Sequence, residues 1–120
     1  MKLTDFSLEG KRVPLPILDG IMDDIGFIRA GQWDYERVTY DYKFEEMMTG
    51  NVYYLRLQGF ATEGDVDKGN AIIEILTPYL GRHYYPHGVE YEGEDFADGI
   101  VKHSKEKLQL VTDRVNEATA

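Results

Sequence analysis

The chain has 120 residues, 42% of them hydrophobic, no cysteine and a formal charge of −9. That is enough apolar material for one packed domain over residues 1–120, and it excludes disulfides, thiol catalysis and cysteine-held zinc. With 13 basic against 22 acidic residues, the balance argues against nucleic acid, whose binding draws on phosphates neutralised by Lys and Arg, and against anionic membrane surfaces.

The start, Met1 to Ser7, has no apolar run of the kind a signal sequence needs, and no stretch approaches the roughly 20 apolar residues of a membrane helix. The expectation is a soluble, cytoplasmic protein. Leu3 to Leu8 is read as a short strand, with Leu3 on one face and Phe6 and Leu8 on the other, and Glu9 to Arg12 as a turn. Pro14 and Pro16 then open a helix of about three turns, since proline is tolerated where a helix has no N–H partner. Leu15, Leu18, Met22 and Ile25 form its apolar stripe, and Gly26 is placed to end it.

A new strand begins at Phe27, with Gly31-Gln32 as a bend before Trp33. From Val38 the alternation is clean: Val38, Tyr40, Tyr42 and Phe44 point one way, and Arg37, Thr39, Asp41 and Lys43 the other. Gly50-Asn51 marks the turn into a second strand, with Tyr53, Leu55, Leu57 and Ala61 inward and Tyr54, Arg56, Gln58 and Phe60 outward. Gly59 inside that strand signals a bulge or a close approach across the sheet.

After an acidic loop from Glu63 to Asn70, the run Ala71 to Thr77 is read as a strand, because it is short, rich in isoleucine and stopped by Pro78. A helix capped by Asn70 is the alternative. Next come a turn near Gly81, a tight feature at Pro86-His87-Gly88 and a short strand at Val89 to Tyr91. Phe96, Ile100, Leu108, Val111 and Val115 then follow helical spacing in a helix of about 20 residues, its amino end loaded with Glu94, Asp95 and Asp98 and its last residues frayed. The expected fold is α+β: a two-layer sandwich, an antiparallel sheet of about five strands with two helices on one face, in the order β-α-β-β-β-β-α.

Few constellations suggest chemistry. His83 and His87 are four apart, but Pro86 and Gly88 break any helix between them, so the metal-pair spacing has no geometric force. They either pack and cap locally or converge through a turn on a ligand. Carboxylates at Glu63, Asp65 and Asp67 do not complete a calcium loop. Ser104 adjoins His103, yet neighbours on a helix project apart and form no relay. No catalytic residue, metal site or cofactor motif is assigned. The outward set Trp33, Tyr35, Arg37, Tyr54, Arg56 and Phe60 has the composition of an interface. Ordinary packing and ligand stacking are the competing readings.

The segments Gly31 to Glu36, Tyr53-Tyr54-Leu55-Arg56 and Gly81-Arg82-His83-Tyr84-Tyr85-Pro86-His87-Gly88-Val89-Glu90-Tyr91 resemble the YugN-like family of small bacterial proteins over nearly the whole chain. The resemblance implies a TATA-binding-protein-like arrangement, strand–helix–four strands–helix. It brings no catalytic residues and no DNA binding with it. The combined expectation is a non-enzymatic binding or regulatory protein that self-associates, as a homodimer or similar homo-oligomer, through the aromatic sheet surface. The alternative is a small-ligand or metal-binding protein whose pocket lies near His83, Tyr85 and His87, between the sheet and the terminal helix.

Overall fold

The computed structural model describes residues 1–31, 36–84, 88–90 and 96–119. Its elements are β1 (Arg12–Pro14), α1 (Leu15–Ile25), β2 (Ile28–Arg29), β3 (Arg37–Glu45), β4 (Val52–Glu63), β5 (Ile72–Ile75), β6 (Tyr79–Tyr84), β7 (Gly88–Glu90) and α2 (Asp98–Thr119). The architecture is α+β, an antiparallel sheet with two helices. Among the described residues seven strands replace the five expected, and six of them, rather than four, separate the helices.

The surplus has a simple origin. β3 and β4 pair along their whole length, from Arg37 opposite Phe60 to Glu45 opposite Val52. On its other side, the 12-residue β4 is longer than any one partner. Its first half pairs with β6, Val52 opposite His83 through Arg56 opposite Tyr79. Its second half pairs with β5, Gly59 opposite Ile75 onward. Thus β5 and β6 lie end to end, parted at Pro78, which has no N–H to give to a ladder. Beyond them β1 pairs with β5, Lys2 bridges to Tyr79, and β7 pairs with β6.

Two local expectations fail for related reasons. The strand over 3–8 does not form: residues 5–10 are bends and turns, and the first strand lies at Arg12–Pro14, between the expected turn, which it overlaps only at Arg12, and the helix. Leu3 and Leu8 are both buried. An odd and an even position would leave a regular strand on opposite faces, so the turn is what lets both enter the core. Gly81 is not at a turn either. It lies within β6, opposite Tyr54, because the first half of β4 needs a ladder partner and Leu80 beside it is fully buried.

The remaining elements follow their local chemistry. Pro14 occupies the N-cap position of α1 without a capping hydrogen bond, and Pro16 sits in its first turn. Gly26 ends the helix at φ 103°, a left-handed conformation that glycine adopts without penalty, and its N–H returns to Met22 O at 3.1 Å. Residues 72–75 are a strand, not a helix. Gly59 meets the close approach its position suggested: a Cβ there would run into Ile73 Cγ2. The register of β4 against β5 also shifts between Ala61 and Glu63. In the acidic loop, the Asp65 carboxylate accepts the Asp67 N–H at 2.8 Å, which closes a turn rather than a cation site. The helical residues of α2 begin at Asp98 and reach Thr119, so its carboxyl end is more ordered than expected. Glu94, Asp95, Tyr91, Pro86 and Gln32 lie outside the described residues.

One apolar cluster joins both helices to one face of the sheet. Leu18 and Met22 of α1, Leu108, Val111 and Val115 of α2, and Tyr40, Leu55, Leu57 and Ile73 of the sheet are all buried within it. Lys107 of α2 donates to Ile25 O at 3.2 Å and lies 4.6 Å from the Tyr42 ring centre. A cation at a helix carboxyl end offsets its negative dipole, so Lys107 ties α2 to the end of α1. No helix among the described residues is long and apolar enough to cross a membrane.

Candidate functional site

The alternation of β3 and β4 decides which side chains are available. Residues that bury Tyr40, Tyr53, Leu55 and Leu57 against the helices leave Arg37, Thr39, Asp41 and Lys43 on the opposite face. Their cross-strand partners are Phe60, Gln58, Arg56 and Tyr54, respectively. Extending the register through β6 adds Tyr79 beside Arg56, and His83 beside Val52. Five of the nominated residues, Arg37, Tyr54, Arg56, Phe60 and His83, therefore share the helix-free face. Trp33, Tyr35, Tyr85 and His87 lie outside the described residues.

The face joins two segments that are remote in sequence. The rings of Tyr54 and His83 meet edge-on, with centres 6.1 Å apart and planes at 81°. His83 thus sits on the side of the sheet away from α2, not between sheet and terminal helix. Among the described residues no group of three His, Asp or Glu side chains is placed to hold a metal ion.

Polar groups on this face are largely wired to one another. Arg56 makes a two-pronged bond to Asp41, Nε to Oδ1 at 2.8 Å and Nη2 to Oδ2 at 2.9 Å, with both side chains partly buried. Gln58 Nε2 donates to Thr39 Oγ1 at 3.2 Å, and Thr39 is itself buried. Lys43 and Glu45 pair at 2.9 Å, and that bond raises the lysine's pKa above its ordinary value. Arg12 pairs with Glu74 at 3.2 Å, and Lys2 lies 5.9 Å from the Tyr79 ring centre. Tyr54, Phe60 and His83 are half-buried rather than fully open. A depression of about 520 Å³ adjoins Tyr54 at the sheet edge, lined also by Gly26, Ile28, Ala30, Asp41, Tyr42 and Lys43. Ile28, 75% exposed, is the open apolar side chain at its rim.

The helix side carries two polar clusters that periodicity did not single out. Tyr40 donates its hydroxyl to Asp19 Oδ1 at 2.6 Å, and Arg29 Nη1 donates to Asp19 Oδ2 at 3.0 Å. Burial first, and the bond to Asp19 second, push the Tyr40 phenol well above its ordinary range. Tyr53 donates to Glu46 Oε1 at 2.9 Å, and its pKa is raised by burial and then by Glu46. The available signal was the inward tyrosine itself: a buried phenol requires an acceptor. Ser104, fully buried, donates to Ile100 O at 2.8 Å and is no nucleophile.

Comparison with known proteins agrees with this picture of the fold. The model of the YugN-like family matches residues 4–110. The chain is 53% identical over 110 residues to the uncharacterized protein YlbA of Bacillus subtilis (strain 168), covering 91% of this chain and 90% of that protein. It is 26% identical over 88 residues to the uncharacterized protein YugN of the same organism, covering 73% of this chain and 64% of that one. The crystal structure of an uncharacterized conserved protein YugN from Geobacillus kaustophilus HTA426 superposes with a TM-score of 0.85 at 44% identity, covering 98% of this chain and 96% of that one.

Proposed function

The chain belongs to the YugN-like family, and from that premise we propose that it is a non-enzymatic binding or regulatory protein that self-associates through the helix-free face of its sheet. One observation carries the reading: Arg37, Tyr54, Arg56, Phe60 and His83 share that face, with Tyr54 and His83 in ring contact. Half-buried rings set among prearranged charges form a surface that loses little freedom on docking.

Charge favours a second copy as the occupant. At −9 overall, two chains repel. On this face the described charges are Lys2, Arg12, Arg37, Lys43 and Arg56 against Asp41, Glu45, Glu63 and Glu74. Much of that charge is already paired within the chain. Here two copies approach without the acidic repulsion of the rest of the surface.

Sedimentation velocity over a wide concentration range tests the proposal. The wild type is expected to shift from monomer to dimer as concentration rises, and Tyr54→Glu to remain monomeric with an unchanged circular dichroism spectrum. A wild type that stays monomeric throughout overturns it.

A second reading has one observation in its favour. The depression beside Tyr54 falls within the volume range of small-molecule sites, so a small ligand seated against Tyr54, Ile28 and Lys43 is the alternative. Native mass spectrometry of protein purified without denaturation tests it. A co-purified small molecule lost in Tyr54→Glu supports it, and bare protein mass in the wild type counts against it.

A further inference from the structure

The tip of the β3–β4 hairpin presents Met47 and Met48 to water, 92% and 97% exposed. The turn beneath them is held by other groups. The Glu46 N–H donates to Asn51 O at 2.9 Å, and the Gly50 N–H to Glu46 O at 2.8 Å. The Glu46 carboxylate accepts the Thr49 hydroxyl at 3.2 Å and the Tyr53 phenol at 2.9 Å. Arg82 Nη2 reaches Asn51 Oδ1 at 3.0 Å. None of these bonds uses a thioether, so the tip keeps its shape whatever the state of the two sulfurs.

The rest of the chain's sulfur is differently placed. There is no cysteine, Met22 is fully buried between α1 and the sheet, and Met1 is 39% exposed. Thioether oxidation follows access. A hydroperoxide meeting the folded protein therefore finds an adjacent pair of open thioethers at one point and no competing thiol.

We propose that Met47–Met48 is a methionine sulfoxide modification site, formed by hydroperoxides and reversed by methionine sulfoxide reductases, in which a dithiol is oxidised to a disulfide and the oxygen leaves as water. A thioether sulfur attacks one peroxide oxygen, the S–O bond forms and the O–O bond breaks. Sulfur gives up two electrons, and the departing hydroxide takes the peroxide's proton and leaves as water. The product replaces an apolar tip with two polar, chiral groups. The core is untouched, because nothing packs on the tip. The site is independent of the self-association surface.

Hydrogen peroxide applied to the folded protein, followed by peptide mass mapping over time, tests this. Met47 and Met48 are each expected to gain about 16 Da at least about tenfold faster than Met22. The thermal melt should be unchanged, and reductases for both sulfoxide epimers should restore the original mass. Met22 oxidising in step with the tip, or a tip that resists while Met1 is modified, overturns the proposal. The variant Met47→Leu/Met48→Leu, which removes no turn hydrogen bond, should take up oxygen early only at Met1. Early uptake at Met22 in that variant also overturns it.

Discussion

The two faces of the β3–β4 hairpin are built from the same residue classes and put to different ends. The inner face uses tyrosine as core: Tyr40 and Tyr53 are each 2% exposed, and each spends its hydroxyl on a carboxylate. The outer face uses tyrosine half-open, with Tyr54 against His83 and its charges paired sideways along the sheet. Burial makes the inner phenols costly to strand, because a phenol that loses its carboxylate has little access to water. The outer rings keep part of their surface in solvent, which leaves that surface available for recognition.

That contrast predicts a graded set of outcomes, and the largest lies at the seam of the sheet. Gly59→Val should destabilise by about 3 kcal/mol or prevent folding, since even a Cβ collides with Ile73 and the Glu74 carbonyl. Leu108→Ala, which empties a fully buried site on α2, should cost about 2–5 kcal/mol in urea unfolding. Tyr40→Phe should cost about 1 kcal/mol, because the Asp19 carboxylate that loses its donor is still partly hydrated and still held by Arg29. Arg56→Ala on the outer face should cost a similar amount, about 1 kcal/mol, because it strands the partly buried Asp41 carboxylate, while weakening self-association. An outer-face variant more damaging to stability than Leu108→Ala would erase the distinction between the faces.

The inner phenols also give a pH signature. Both Tyr40 and Tyr53 have folded pKa values above those of the unfolded chain. Their contribution is therefore fully present below the unfolded tyrosine pKa of about 10, and is lost as pH rises beyond it. Stability measured by urea unfolding should fall above about pH 10, and Tyr40→Phe should flatten that decline. An unchanged slope would mean that Tyr40 is not the group responsible.

Gly20 offers a change of the opposite sign. It sits inside α1, exposed, with nothing within 4 Å of where a Cβ would stand. Gly20→Ala should raise stability by about 0.5–1 kcal/mol.

Much of this division was legible in the sequence because it is parity. A period of two assigns Tyr40, Leu55 and Leu57 inward and Arg37, Tyr54 and Arg56 outward without any knowledge of neighbours. The helical stripe of Leu15, Leu18 and Met22, with its glycine stop, is equally local. Strand partners are not local. Nothing in Tyr79 to Tyr84 says that β4 is too long for one partner, so Gly81 looked like a turn. Leu3 and Leu8 looked like a strand because alternation is a weak signal over six residues, whereas their shared burial comes from the turn between them. The Tyr54–His83 contact joins positions far apart in the chain, and only the sheet's register discloses it. The bond from Lys107 to Ile25 O is of the same kind, since the carboxyl end of α1 that receives it belongs to another part of the chain.

The central claim, that the helix-free face is the surface of self-association, is tested most directly by a dilution series followed by amide and side-chain NMR. Resonances of Arg37, Tyr54, Arg56, Phe60 and His83 should shift together as concentration rises, with those of α1 and α2 unmoved. Concentration-dependent shifts confined to the helices, or none at all, would contradict it.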